Sequence, residues 1–212
     1  MIISFPGIEC VKIQKGDTSI VFNPISKASQ FKTTQFGADI CIVSTWHDDM
    51  NGVEQTARGD KQPFIIKGPG EYEVDGYFIR GFRTQSEYGG SAINNTIYTL
   101  TIEDVRIAFL GALSETELSP EIKEELGSAD ILFVPIGGEG VLSPQEAYSL
   151  AVKREPHIII PIHYGDVGEK DALKTFLKEG GVDKLRAEDK VTLRKKDVDA
   201  REGEIIVLSQ QL

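Results

Sequence analysis

The stretch that decides the fold is "ADICIVSTWHDDMNG", residues 38–52. Its first half is a nearly continuous apolar run, which is typical of a β-strand buried on both faces. The run ends in a polar segment with one histidine, two aspartates and the only tryptophan of the chain. His47 and Asp49 therefore follow the carboxyl end of a buried strand, where α/β folds tend to place ligand sites. The spacing is close to that of a two-metal binding loop, but the segment holds too few ligands.

A second histidine follows another buried strand later in the chain. The stretch "HIIIPIH", residues 157–163, is apolar between its two histidines, and His163 stands at its carboxyl end. A lone histidine in such a position is more often a hydrogen-bonded core residue than a ligand. Two histidines at strand ends, each followed by aspartate, make a shared site about as good an interpretation. His157 begins the same strand at its opposite end, and we expect it at the surface.

The pattern of predicted secondary structure changes near the middle of the chain. The first half predicts strands joined by tight turns, with a hairpin over residues 8–22 and another around residues 74–76. The second half alternates buried strands with helices, and "SPQE", residues 143–146, is a capping box that predicts a helix start. Since no low-complexity linker separates the halves, we predict one α/β domain over residues 1–212 with more than one sheet.

Two further stretches predict surface features. Residues 85–95 are polar and rich in glycine without any period, which predicts a mobile loop. The basic stretch "VTLRKKDV", residues 191–198, predicts the solvated face of a strand. The formal net charge of −10 disfavours nucleic acid as a partner, because nucleic-acid binding needs cations that replace the counterions of phosphate.

Composition limits the class of protein. The 212 residues are 40 % apolar and 26 % charged, as in soluble globular proteins. No run approaches the ~20 apolar residues that span a bilayer, and the first residues lack the pattern of a signal peptide. Cys10 and Cys41 each lie in an apolar run, which predicts buried thiols rather than a disulfide or a zinc knuckle. We therefore expect a cytoplasmic protein without a membrane partner.

Longer stretches of the chain resemble one protein family. "KGPGEYEVDGYFIRGF", residues 67–82, is very close to a Gly-Pro-Gly-Glu-Tyr-Glu signature, and "IIIPIHYGD", residues 158–166, matches a later strand. Together with residues 38–52, these motifs resemble the metallo-beta-lactamase superfamily, and more narrowly its branch of predicted Zn-dependent hydrolases. The resemblance covers nearly the whole chain. It implies an αββα four-layer sandwich in which two metal ions activate a bridging water for hydrolysis.

Most metal positions that this resemblance implies are lost in the chain. The family's loop reads His-x-His-x-Asp-His, and its four ligand positions hold Thr45, His47, Asp49 and Met50 here. The position of the bridging aspartate holds Ala112. Further departures are Ile8-Glu9 in place of His-Ser, Asn23 in place of an aspartate, and residues 83–88, which lack a histidine often found there.

The resemblance therefore implies metal ligands only at His47, Asp49 and His163. Counted by metal, the first ion would keep His47 alone and the second would keep Asp49 and His163. Zinc normally has at least three protein ligands, so a two-metal mechanism is not expected. Among the surviving residues, Asp49 and His163 are the candidates for catalysis.

These considerations lead to one leading hypothesis and two alternatives. We expect a non-catalytic or much weakened homologue with a binding or regulatory role and no cofactor. The first alternative is a hydrolase of phosphoesters, lactones or amides that uses a single zinc or other divalent metal. The second is metal-free acid–base catalysis by Asp49 and His163. An unknown small molecule or protein is the expected partner, and a homo-oligomer stays open.

Side chains near the metal loop leave further interpretations open. The carboxylates that could replace lost ligands are Glu9, Asp48, Glu71, Glu115 and Asp166. We expect Met50 to fill the space of an imidazole and its metal. Trp46 is either a stacking platform for a substrate or a plug over the vacant site, and its large area favours the plug. Glu71 and Tyr72 are expected to brace a turn.

Overall fold

Two β-sheets lie face to face in the computed structural model, which describes residues 1–33 and 35–211. The ring of Phe22 from one sheet stacks on the ring of Phe109 from the other, with centroids 4.5 Å apart. Apolar side chains from both inner faces form one continuous core. This is the packing expected when the alternating apolar residues of two sheets meet.

The described part of the first sheet contains six strands, which are β1 (Ile2–Gly7), β2 (Cys10–Lys15), β3 (Thr18–Phe22), β4 (Ile40–Val43), β5 (Phe64–Lys67) and β12 (Lys190–Thr192). They lie in the order β12-β1-β2-β3-β4-β5. The hairpin predicted over residues 8–22 is confirmed, because β2 pairs antiparallel with β3 and Lys15 lies opposite Thr18.

The described part of the second sheet contains seven strands, which are β6 (Gly70–Val74), β7 (Tyr77–Ser86), β8 (Ile93–Ile102), β9 (Val105–Phe109), β10 (Ile131–Pro135), β11 (Ile158–Ile162) and β13 (Glu204–Ile205). They lie in the order β13-β11-β10-β9-β8-β7-β6. The second predicted hairpin is confirmed as well, with Val74 opposite Tyr77.

Several strands end at the same edge of the sandwich. Strands β3 to β5 run parallel to one another, as do β9, β10, β11 and β13. Strands β4, β10 and β11 are buried along their whole length, as their apolar runs predict. Ser44 after β4, Gly111 after β9 and His163 after β11 lie in one region between the sheets. There the backbone N–H of His163 donates to the carbonyl of Ile8 at 2.6 Å.

The described helices are α1 (Pro120–Leu126), α2 (Pro144–Val152), α3 (Ala172–Glu179) and α4 (Lys195–Asp199), with a 3-10 helix at Val53–Gln55. The side chain of Ser119 accepts a backbone N–H at the start of α1, and Ser143 and Glu146 form the predicted capping box of α2. The rings of Tyr148 and Phe176 join α2 to α3 edge to face, with centroids 5.8 Å apart. Helix α2 also packs on β10, so this helical layer covers the second sheet.

Two predictions from the sequence need correction. The loop predicted over residues 85–95 is shorter, because β7 extends to Ser86 and β8 begins at Ile93. Polar residues at both ends of that stretch pair across the long β7–β8 hairpin and so belong to strands. The basic stretch of residues 191–198 is not one strand, because it ends β12 and then forms most of α4.

The architecture agrees with the predicted α/β class and its two facing sheets. No helix within the described residues is long and apolar enough to cross a membrane. The domain predicted over residues 1–212 includes Thr34 and Leu212, which lie outside the described residues. Its organisation as a single domain stays a prediction.

Candidate functional site

The ring of Tyr88 lies between the two histidines that follow the buried strands. Its centroid is 4.8 Å from that of His47 and 4.9 Å from that of His163, and both pairs meet edge to face. Tyr88 belongs to the loop between β7 and β8. Both imidazoles therefore pack against the same aromatic side chain.

Asp49 is held in this arrangement by two hydroxyl groups. Tyr88 Oη donates to Asp49 Oδ2 at 2.7 Å, and Ser29 Oγ donates to Oδ1. Nδ1 of His47 lies 3.3 Å from the same Oδ2. Burial, and then the hydrogen bond to Asp49, raises the pKa of Tyr88, so the phenol stays a neutral donor. The structure thus brings His47 and Asp49 together, as the loop spacing predicts, with the carboxylate already engaged.

His163 has a different partner, which is Glu9. Nδ1 of His163 lies 2.7 Å from Oε1 of Glu9, and both side chains are fully buried. Because an ionised carboxylate only accepts hydrogen bonds, Nδ1 is the donor in this contact. Nε2 has no hydrogen-bond partner among the described residues. The direct pair of Asp49 with His163, invoked for metal-free catalysis, is not formed among the described residues, where Asp49 binds Ser29 and Tyr88 instead.

A buried polar network continues from this pair to the end of β4. Asn23 donates from Nδ2 to Glu9 Oε2 at 2.8 Å and to Ser44 Oγ at 2.7 Å. Thr45 Oγ1 donates to Oδ1 of Asn95 at 2.8 Å. Positions that the resemblance assigns to a metal centre therefore hydrogen-bond to each other, which satisfies them inside the protein.

Apolar side chains fill the adjacent space. Met50 and Ala112, at two of the implied ligand positions, are fully buried. Their cluster also contains Ile8, Cys10, Val21, Ile25, Ala38, Val141 and Val167. Met50 thus packs as an apolar side chain, as expected. The thiols of Cys10 and Cys41 are free and buried as predicted, and burial raises the pKa of Cys41 to about 12.

These residues do not fit a two-metal centre. Within the described chain, His47, Asp49 and His163 do not bring one ligand atom each within 4.8 Å of one another. The ring of Tyr88 packs on both histidines, and its hydroxyl donates to Asp49. Zinc needs three or four converging ligands. The metal role of these three residues, and the catalytic role of Asp49 and His163, stay predictions.

Of the five carboxylates considered as replacement ligands, Glu9 is the one that lies in this site. The other four are exposed or bound elsewhere, and they are Asp48, Glu71, Glu115 and Asp166. Oη of Tyr72 donates to the carbonyl of Gly68 at 2.9 Å, which confirms that Tyr72 braces the turn. No signal in the sequence separates Glu9 from the other four, because its partner His163 is 154 residues away.

The prediction that Trp46 plugs the vacant site is wrong. Its side chain is 65 % exposed, and the ammonium of Lys67 lies 4.3 Å from the centre of the indole ring. Trp46 and Asp49 point to different sides of the loop after β4, since Asp49 is buried. Tyr88, which comes from another loop, fills the space instead.

A second group of potential ligands lies at the amino ends of β10 and β11. Asp130, His157 and Asp199 bring one ligand atom each within 4.8 Å of one another. Nζ of Lys195 lies 3.2 Å from Asp130 and 3.0 Å from Asp199, so an ammonium group already forms an ion pair with each carboxylate. His157 is partly exposed, in agreement with the surface position predicted for it.

The two facing mixed sheets, with a cluster of His, Asp and Glu where their parallel strands end, define the class of metallo-hydrolase sandwich folds. The family model described as "Beta-lactamase superfamily domain" matches residues 2–163. The chain therefore belongs to the beta-lactamase superfamily, as the motifs over residues 38–52, 67–82 and 158–166 predict.

Individual relatives agree with this assignment. A UPF0173 metal-dependent hydrolase of Listeria monocytogenes is 27 % identical over 197 residues, covering 77 % of this chain and 85 % of that protein. A UPF0173 protein of Pyrococcus abyssi is 44 % identical over 69 residues, which cover 32 % of this chain and 31 % of that protein. Among solved structures, a predicted Zn-dependent hydrolase of the metallo-beta-lactamase superfamily from Thermotoga maritima superposes with a TM-score of 0.75. The two chains are 26 % identical, over 98 % of this chain and 97 % of that one.

Proposed function

We propose that this chain is a binding or regulatory member of its superfamily that does not use a two-metal hydrolytic centre. The observation that carries the proposal is the position of Tyr88, whose ring packs on both His47 and His163 and whose hydroxyl donates to Asp49. A side chain in that place excludes the water that two metals would activate.

The remaining polar groups support the same proposal. Glu9 and His163 form a closed pair, and Asp49 accepts from both Tyr88 and Ser29. Residues that hydrogen-bond to one another in this way contribute to stability. Without a metal, a water in the site keeps close to its bulk pKa and is a poor nucleophile at neutral pH.

Metal analysis of the purified protein tests this proposal. Protein purified without chelators is expected to contain zinc, manganese and iron far below one equivalent. The content should be the same in His163→Ala and in the control His157→Ala. Stoichiometric metal that is lost in His163→Ala or Asp49→Ala but kept in His157→Ala would contradict the proposal. If His163→Ala does not fold because the buried imidazole is removed, Asp49→Ala replaces it in the test.

A second candidate function is hydrolysis with a single metal. Two observations favour it, namely the metal-dependent hydrolases among the relatives and the unpartnered Nε2 of His163. In that case a screen of phosphodiesters, esters, lactones and amides with added zinc or manganese would give turnover. The turnover would have to disappear in the Asp49→Ala, His163→Ala double variant. Equal turnover in that variant excludes this candidate.

A further inference from the structure

A pocket of about 390 Å³ lies between the end of β4, the turn after β5 and the β7–β8 hairpin. Its lining includes the buried residues Val43, Ser44, Thr45 and Thr96, and the exposed residues Trp46, Lys67, Arg83 and Asn94. Gly68 and Pro69 complete it. The volume is in the range of sites that hold small molecules.

The charge of this pocket differs from that of the protein as a whole. The chain carries a net charge of −10, yet the lining has two cations, Lys67 and Arg83, and no carboxylate. Within the described part of the chain, neither cation has an acidic partner within 4 Å, in contrast to Lys61, Arg80 and Lys195, which do. Two cations without a counter-charge around one concavity create a positive potential that attracts an anion.

Both cations are positioned by neighbours that leave donors available. The Lys67 ammonium lies 4.3 Å from the centre of the Trp46 ring, a contact that uses none of its hydrogens in a conventional hydrogen bond. Arg83 uses Nε and Nη2 on the side-chain oxygen of Asn94, at 3.1 and 2.8 Å. Since a guanidinium has five N–H donors, the remaining ones can bind an oxyanion.

Trp46 adds an apolar surface to the same pocket. An indole that is 65 % exposed leaves a large apolar area in water, and such areas commonly mark binding sites. A ligand that pairs its negative charge with Lys67 and Arg83 could cover the indole with a flat apolar group. A purely inorganic anion would leave the indole of Trp46 exposed to water.

We propose that this pocket binds a small organic anion, a carboxylate or a phosphate monoester, that carries a flat apolar group. The proposal gives a ligand class to the binding role proposed above. It does not depend on a metal bound at His47, Asp49 or His163, because none of these three residues lines the pocket. A metal analysis of the same preparation therefore separates failure of one proposal from failure of the other.

The fluorescence of Trp46 reports on the pocket, because it is the only tryptophan of the chain. Phenyl phosphate and benzoate are the anionic probes, benzyl alcohol is the neutral one, and inorganic phosphate tests charge alone. We expect the two anionic aromatic probes to change the emission and to bind at least about tenfold more tightly than the other two. Calorimetric titration gives the same affinities without reliance on the indole.

The double variant Lys67→Gln, Arg83→Gln tests the two cations. Its matched control is Lys174→Gln, Arg186→Gln, which removes the same charge from exposed residues outside the pocket. We expect the first variant to weaken phenyl phosphate binding by about tenfold or more and the control to leave it unchanged. Equal affinities in both variants, binding of benzyl alcohol as tight as that of phenyl phosphate, or no binding of either anionic probe would overturn the proposal. Urea unfolding of both variants verifies that they are folded.

Discussion

The hydroxyl of Tyr88 donates to Oδ2 of Asp49 at 2.7 Å, so a loop tyrosine satisfies the one carboxylate that the metal loop retains. The same ring meets His47 and His163 edge to face. A single side chain from the β7–β8 loop thus touches all three residues at which the family resemblance implies ligands. Its position supports the proposal that this chain does not use a two-metal centre.

The first prediction concerns the hydroxyl of Tyr88. Tyr88→Phe keeps the ring between the histidines but leaves a buried carboxylate oxygen without its donor. We expect the free energy of unfolding to fall by about 1–3 kcal/mol. Urea unfolding followed by circular dichroism measures it. Tyr148→Phe is the control, because that ring is also partly buried and its hydroxyl makes no hydrogen bond within the described residues. A loss no larger than that of the control would show that the Tyr88–Asp49 hydrogen bond is not formed.

The second prediction concerns the buried pair of Glu9 and His163. Glu9 accepts from His163 through one oxygen and from Asn23 through the other. In Glu9→Gln one of those oxygens becomes an NH₂ group. That group is a donor and lies opposite another donor, either His163 or Asn23, so the hydrogen bond is lost. We expect a loss of about 1–3 kcal/mol in the free energy of unfolding, measured by urea denaturation.

The exposed pair of Lys195 with Asp199 provides the contrast for Glu9→Gln. Asp199→Asn also turns a paired carboxylate into an amide, but water screens this pair, so we expect a loss below about 1 kcal/mol. If Glu9→Gln is as well tolerated as Asp199→Asn, the side chain of Glu9 does not hold His163 in solution.

The third prediction concerns the close approach of Gly111 to the buried network. A Cβ atom at Gly111 would lie 2.4 Å from Ser44 Oγ and 2.5 Å from Asn95 Oδ1, and its φ is +59°. Gly111→Ala should therefore lower the free energy of unfolding by about 2–4 kcal/mol, through backbone strain and overpacking together. Gly16→Ala is the control, since Gly16 has a similar φ of +55° and nothing within 4 Å. Equal melting temperatures for the two variants would be incompatible with a tightly packed network at Gly111.

The sequence predicts the strands, turns and helix starts of this protein better than the contacts within its candidate site. The apolar runs, the turn residues and the capping box at Ser143 are local signals, and each one is confirmed by a strand, a hairpin or a helix start. The segments after two buried strands also bring His47 and His163 to the same aromatic side chain, because parallel strands end at a common edge. Contacts between residues that are far apart in the sequence cannot be predicted from local signals. Glu9 pairs with His163 across 154 residues, and no local pattern connects them.

Trp46 and Tyr88 show why the contents of the site could not be predicted. Size and position in the sequence favour Trp46 as the plug, yet the loop turns the indole outwards to Lys67. Tyr88 stands in a glycine-rich loop without periodicity, so the sequence gives no direction for its side chain. The absence of a histidine over residues 83–88 is the one signal, because it marks the region from which the filling side chain comes.

The last prediction concerns the dependence of stability on pH. Asp39, just before β4, accepts from Lys61 Nζ at 2.7 Å and from the backbone N–H of Ser19 at 2.9 Å. The hydrogen bond from Lys61, the largest cause, helps to lower the pKa of Asp39 to about 2. In the unfolded chain the pKa is about 3.9. The folded pKa is the lower one, so the ionised carboxylate stabilises the protein above about pH 4, and this contribution is lost as the pH falls towards 2.

Asp39→Asn isolates this contribution to stability. We expect the variant to be less stable than the wild type by on the order of 1 kcal/mol at pH 7, because water screens the exposed Lys61 ammonium. The difference should shrink between about pH 4 and pH 2, where Asp39 of the wild type becomes protonated. Urea midpoints of both proteins across this range measure it, with Asp48→Asn, an exposed aspartate next to the site, as the control. A difference that stays constant with pH would show that Asp39 acts through its shape and not through its charge.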